Sequence, residues 1–97
     1  MNSAYRDYSN CIVLFPNVSP AYHNRAIILS DWGRYSEALE DYNNTILYSP
    51  NDTLAYLNRG RLKIFRLGDK VGGCLDFSKA GELGCQQAYD LIKSFCK

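Results

Sequence analysis

Ala21-Tyr22-His23-Asn24-Arg25 and Ala55-Tyr56-Leu57-Asn58-Arg59 lie 34 residues apart and agree at four of five positions. The same shift superposes Ala4, Asp7, Tyr8, Asn10, Ile12, Pro16 and Asn17 on Ala38, Asp41, Tyr42, Asn44, Ile46, Pro50 and Asn51. Beyond Gly60 the better shift is 35, matching Leu29 to Ile64, Gly33 to Gly68, Asp41 to Asp76 and Tyr42 to Phe77. That change predicts one extra residue between Gly60 and Ile64. A further echo, Ala88-Tyr89, closes the chain. A period near 34 is the length of a two-helix unit that buries its apolar face only by stacking on copies of itself.

Each unit reads as helical. Ser19 is expected to cap a helix with Pro20 in its first turn, where the missing N–H costs nothing. Tyr22, Ala26, Leu29 and Gly33 then recur at three- and four-residue steps, one face of a helix. Gly33 can take the positive φ that ends it. Tyr35, Ala38, Leu39, Tyr42, Ile46 and Leu47 form the next apolar face, stopped at Ser49-Pro50-Asn51. In the second unit Asn51-Asp52-Thr53 can cap, and Tyr56, Gly60, Ile64 and Leu67 form a face. Gly68 breaks the chain, Asp69 can cap, and Cys74, Phe77, Ala80 and Leu83 face inward before Gly84. The small residues Ala26 and Ala38, or Gly60 and Gly73, are expected where the helices of a hairpin cross.

These residues resemble the tetratricopeptide repeat family. In 19–52, Tyr22, Ala26, Leu29, Gly33, Tyr35, Ala38, Tyr42, Thr45 and Pro50 occupy its signature positions. In 53–85, Lys70 stands for the usual aromatic, Gly73 for Ala and Cys85 for Pro. Residues 2–16 resemble the second helix of a preceding repeat, and 86–97 the helix that closes such arrays. The last third, from Gly68-Asp69-Lys70 through Ala88-Tyr89-Asp90, is similar to the ending of repeat proteins from gut-type Bacteroidota. The resemblance implies an all-α fold: antiparallel hairpins stacked as a short right-handed α-solenoid of about five helices, forming one domain over 1–97. It also implies a non-catalytic module that binds a peptide or a partner's helix on its concave side. The residues placed there are His23, Asn24, Ile27 and Asp31 from one hairpin, and Leu57, Asn58, Arg61 and Phe65 from the other. The alternative is an architectural spacer or self-associating segment of a larger repeat protein, without its own ligand. Family members that grip a C-terminal carboxylate need Lys and Asn where this chain has His23 and Ile27, so acidic chaperone tails are not expected.

Composition narrows the function classes. The 97 residues carry 11 Lys and Arg against 10 Asp and Glu, a net charge of +1, which argues against a polyanion or nucleic-acid binder. A hydrophobic fraction of 46% is enough for a core. No apolar run approaches the roughly 20 residues of a membrane helix, and Met1-Asn2-Ser3-Ala4-Tyr5-Arg6-Asp7 lacks the apolar stretch of a signal peptide. Of the eight tyrosines, those at 8, 22, 35, 42, 56 and 89 fall on packing positions, which favours core over a base-stacking surface. His23 is the only histidine and has no nucleophile patterned beside it. No phosphate loop, G-x-S-x-G or H-E-x-x-H occurs, so neither enzyme activity nor a cofactor is expected.

Asn24 and Asn58 recur in register. An amide both donates and accepts, so the pair could clamp an extended peptide backbone, or each could tie neighbouring helices together. Arg25 and Arg59 also recur and are expected to pair internally with Asp41 and Asp76. The four cysteines, at 11, 74, 85 and 96, contain no C-x-x-C, and no zinc site is expected. Cys74 and Cys96 are each eleven residues from Cys85. In an antiparallel hairpin turning there, equal rises bring both to one level, so they could form a disulfide or pack as two buried thiols. Cys11 is expected to pack like Thr45, and Cys85 to lie exposed in a turn. The helix 2–16 presents Tyr8, Cys11, Ile12 and Phe15 as an apolar face, expected to be covered by a preceding helix of a longer array or by a second copy as a weak homodimer.

Overall fold

The computed structural model describes residues 3–96. It contains six helices among the described residues, where about five were expected, and no strand: α1 Ser3–Leu14, α2 Ser19–Asp31, α3 Tyr35–Tyr48, α4 Thr53–Phe65, α5 Lys70–Glu82 and α6 Gln86–Phe95. The terminal residues Asn2 and Lys97, assigned by sequence to the first and last helices, lie outside the described part. The chain divides into two compact units at Pro50 and Asn51. The first holds α1 and the α2–α3 hairpin; the second holds the α4–α5 hairpin and α6.

In the first unit, Ser19 meets Ser49 and Arg25 meets Asp41, so α2 and α3 run antiparallel. Ala26 and Ala38 are both fully buried, and Tyr22, Leu29, Tyr42 and Thr45 complete the core with Ala21. Tyr35, Leu39 and Ile46 are half-buried. Leu47, expected on the apolar face, is 66% exposed. The cap of α2 also differs from expectation. Val18 is the N-cap residue and Ser19 the first helical one; the Ser19 hydroxyl bonds Ser49 Oγ at 2.5 Å instead of a backbone N–H. The helix ends as foreseen, with Gly33 at φ +80°. Arg34 N–H reaches Leu29 O at 2.9 Å and Gly33 N–H reaches Ser30 O at 3.0 Å, which satisfies carbonyls that the helix leaves open.

In the second unit the same end recurs at α5. Gly84 has φ +104°, Cys85 N–H reaches Ala80 O and Gly84 N–H reaches Gly81 O, each at 3.0 Å. Both helices of the α4–α5 hairpin have side-chain caps: Asp52 accepts from Ala55 N–H at 3.2 Å and Asp69 from Gly72 N–H at 2.9 Å. The close crossing lies where Gly60 and Gly73 predict it. A Cβ on Gly60 would stand 2.7 Å from Phe77 Cε1 and 2.9 Å from the Gly73 carbonyl oxygen. Phe77, with no exposed surface, therefore packs its ring against the backbone of α4.

The extra residue does not lie between Gly60 and Ile64. Thr53–Phe65 reproduces Ser19–Asp31 at a shift of 34 along its whole length, and only α5, beginning at Lys70 against Tyr35, is shifted by 35. The insertion sits in the turn. Asp69 N–H bonds Lys63 O across six residues at 2.7 Å, where Arg34 N–H bonds Leu29 O across five. A loop absorbs one residue without rotating the rest of a packed helix. This is why Ile64 is only half-buried and Leu67 exposed, while Leu57 and Leu62 join Ala55, Tyr56 and Gly60 in the core. On α5, Phe77 and Ala80 are buried as expected, Cys74 and Leu83 half-buried.

Candidate functional site

Each hairpin is closed by one arginine–aspartate clamp. Arg25 Nε donates to Asp41 Oδ2 at 2.7 Å and Nη2 to Oδ1 at 2.8 Å. Arg59 repeats it on Asp76, with Nε to Oδ2 at 2.9 Å and Nη2 to Oδ1 at 2.7 Å. Two parallel bonds match the guanidinium fork to the carboxylate plane, which a lysine cannot do. Both carboxylates are buried. The bond to Asp41 holds the Arg25 guanidinium above its ordinary pKa, against the opposing effect of burial. These two arginines are therefore structural, as their recurrence predicts.

Two further members of the clamps escape a reading by repeat alone. Ser9 Oγ on α1 accepts from Arg25 Nη1 at 3.2 Å, tying α1 to the first hairpin. Lys63 Nζ stands 3.3 Å from Asp76 Oδ2. Lys63 follows Arg59 by four residues, one helical turn, and that spacing was a usable signal.

With the arginines engaged internally, the remaining sequence candidates on α2 are His23, Asn24, Ile27 and Asp31. His23, Ile27 and Asp31 follow at four-residue steps and so share one stripe. His23 is half-buried, with its ring edge-on to Tyr42 at 5.8 Å between centroids. Asn24 is half-buried, and Ile27 and Asp31 are exposed. Burial, with a smaller contribution from the Asp31 carboxylate, pushes the Tyr42 hydroxyl up to about 12. Tyr22 is raised as well, by burial first and then by Tyr48, whose ring stacks on it at 5.8 Å; its hydroxyl donates to Pro16 O at 2.8 Å. Both phenols are packed and protonated at neutral pH.

On α4 the corresponding stripe is Leu57, Arg61 and Phe65, with Asn58 beside it. Leu57 is 1% exposed and belongs to the core, which corrects its assignment to a binding face: an aliphatic side chain in the register of His23 gains by leaving water. Asn58 and Arg61 are half-buried. Phe65 is exposed over about half its surface, and its ring meets Phe95 of α6 edge-on at 4.9 Å.

Tyr8 and Tyr35 are half-buried, and Tyr22, Tyr42 and Tyr56 buried. Tyr89 is 46% exposed, although one edge lies against Gly81, so it is less a core residue than its position suggests. Cys74 and Cys96 form a disulfide, with their Cα atoms 5.8 Å apart. Cys11 and Cys85 are free thiols, and Cys85 is half-buried rather than exposed. On α1, Tyr8, Cys11 and Ile12 are half-buried, and the strongly exposed apolar residues are Val13 and Leu14, with Phe15 just beyond the helix. Within the first unit, Tyr5, Arg6, Ser9, Trp32 and Arg34 line an open cavity of about 540 Å³, floored by the tilted Tyr5–Trp32 pair at 5.1 Å. No group of three or more metal-binding side chains occurs among the described residues, and none of their helices is long and apolar enough to cross a membrane.

A family model described as tetratricopeptide repeat matches residues 8–40, from the middle of α1 through α2 into α3. No curated protein matches the chain.

Proposed function

We propose that this chain, whose residues 8–40 match the tetratricopeptide repeat, a kind of module that serves protein–protein interaction, binds an extended peptide or a partner's helix through the first helices of its hairpins. The observation that carries the reading is the division of labour in the repeated Asn-Arg pairs. Arg25 and Arg59 pair with Asp41 and Asp76 inside their hairpins, and Asn24 and Asn58, which recur beside them, are half-buried and keep part of their surface exposed. A positioned amide satisfies both polar groups of a peptide unit at once. Ile27 and Phe65 add exposed apolar surface, and Asp31 and Arg61 add charges of opposite sign for orientation. The reading is non-catalytic: its polar groups are suited to holding a chain, and the packed tyrosines are held neutral.

Selection of a random peptide library on the immobilised chain tests it. Recovered peptides should bind the Asn24→Ala/Asn58→Ala variant at least tenfold more weakly, with its helical circular dichroism unchanged. Equal binding by the two proteins would remove the asparagine clamp.

The architectural reading keeps one observation of its own. Val13, Leu14 and Phe15 are 80%, 71% and 62% exposed, an apolar cluster that association would cover. On that reading a second copy docks there as a weak homodimer. Sedimentation of wild type against Leu14→Glu/Phe15→Glu decides it: a concentration-dependent dimer lost in the variant supports the homodimer, and a monomer throughout opposes it.

A further inference from the structure

The second unit contains a helix held at one end by a covalent bond. α6 has ten residues, shorter than a helix that persists alone in water, and Ala88 is its only buried side chain. Its N-cap residue, Cys85, makes no side-chain capping bond. Its aromatic contacts, Tyr89 against the Gly81 backbone and Phe95 against Phe65, are made by rings that stay about half exposed. Leu91 and Ile92 are half-buried, and the covalent attachment is the Cys74–Cys96 disulfide, which joins the middle of α5 to the residue that follows α6.

That bond is also reachable. Both cysteines line an open groove of about 410 Å³, bordered by Lys70, Val71, Leu75 and Ile92. Val71 and Leu75 are largely exposed, so the wall beside the sulfurs is apolar and open, with a lysine in the lining. An attacking thiolate needs access to a sulfur, and a nearby cation favours the anion that attacks.

We propose that Cys74–Cys96 is a reducible latch that controls the docking of α6 on α5, and that a dithiol reductant is its natural opener. One thiolate of the reductant attacks a latch sulfur, breaks the S–S bond and forms a mixed disulfide, and the displaced cysteine takes up a proton. The second thiol of the reductant then attacks the mixed disulfide. The reductant leaves as its own disulfide, and the two cysteines have gained two electrons and two protons. Freed at its C-terminal end, α6 undocks, uncovering Gly81 and the face of Phe65 that meets Phe95, while the α4–α5 hairpin stays closed by its glycine crossing and its Arg59–Asp76 clamp.

Hydrogen–deuterium exchange of the whole chain, with and without dithiothreitol, tests this. The oxidised protein should show alkylation of Cys11 and Cys85 only. On reduction, the amides of α6 should exchange at least tenfold faster, while the central amides of α4 and α5 keep their protection. The Cys74→Ser/Cys96→Ser variant should exchange like the reduced protein and ignore dithiothreitol. Four alkylated thiols without reductant, equal α6 exchange in both states, or simultaneous loss of protection in α4, α5 and α6 would each overturn the latch. The last would make the disulfide a staple of the whole unit.

Discussion

Gly73→Ala places a methyl group at the closest approach of α4 and α5. Its Cβ would fall on Ile64 Cγ1 and stand 2.9 Å from Ile64 Cδ1 and 2.8 Å from the Gly60 carbonyl oxygen. Ile64 can turn aside at some cost, but the backbone oxygen of a packed helix cannot. Overpacking of this kind costs about 1–3 kcal/mol, and the backbone contact argues for the upper end. Against it, alanine favours a helix interior over glycine by about 1 kcal/mol. The net expectation is a loss of about 2 kcal/mol, lowering the melting temperature of a chain this size by about 10 °C. Urea unfolding followed by far-ultraviolet circular dichroism measures it, and a change in midpoint at constant slope marks a change in stability alone. Adding Ile64→Ala removes the side-chain part of the clash, so the double variant should recover about 1 kcal/mol relative to additivity. A gain in stability for Gly73→Ala, of the size propensity alone gives and with no coupling to Ile64, would refute the close crossing.

Three other expectations rest on the same geometry. Asp41→Ala leaves the Arg25 guanidinium without its bidentate acceptor and should cost about 3 kcal/mol; Asp76→Ala should cost more, because Arg59 and Lys63 lose a shared carboxylate. Paired urea titrations give the order. Tyr42 is held protonated up to about 12, so the folded chain binds more protons than the unfolded one above about pH 10. Stability should therefore fall as the pH rises from about 10 to 12, and Tyr42→Phe should flatten that slope in alkaline melts. Asp69→Ala removes the acceptor of the Gly72 N–H at the start of α5 and should cost about 1 kcal/mol, most of it restored by Asn.

The architecture is legible because identical residues must meet identical partners in each unit. Tyr22, Arg25 and Ala26 recur as Tyr56, Arg59 and Gly60, and Asp41 recurs as Asp76, so the period alone forecasts the clamps. The turn glycines 33, 68 and 84 are equally plain, since only glycine adopts their positive φ cheaply. Three features are not legible. The inserted residue could be slid along 60–68 with similar matches, because Ile28 meets Leu62 at a shift of 34 while Leu29 meets Ile64 at 35; backbone bonding, not similarity, fixes it in the turn. Ser19 looks like a cap by type, but its hydroxyl has a better partner in Ser49, thirty residues away. Leu57 looks available for binding only because its register mate His23 is polar. Of the candidate face, the sequence supplies the stripe but not its depth: Asn24, Ile27 and Asp31 reach solvent, Leu57 does not, and Phe65 shares its surface with Phe95. The disulfide is one of two outcomes the spacing allows, since equal distances from the turn set the level of Cys74 and Cys96 but not whether their side chains meet.

The central claim is that each unit is a helical hairpin closed at small residues. The most direct measurement is a nuclear Overhauser spectrum of the labelled chain. Strong cross-peaks are expected from the Gly60 Hα protons to the Phe77 ring and from the Gly81 Hα protons to the Tyr89 ring, in one spectrum. If the Phe77 ring shows no cross-peak to Gly60 while α4 and α5 are both helical, the helices do not close on one another at their glycines, which contradicts a hairpin closed at small residues.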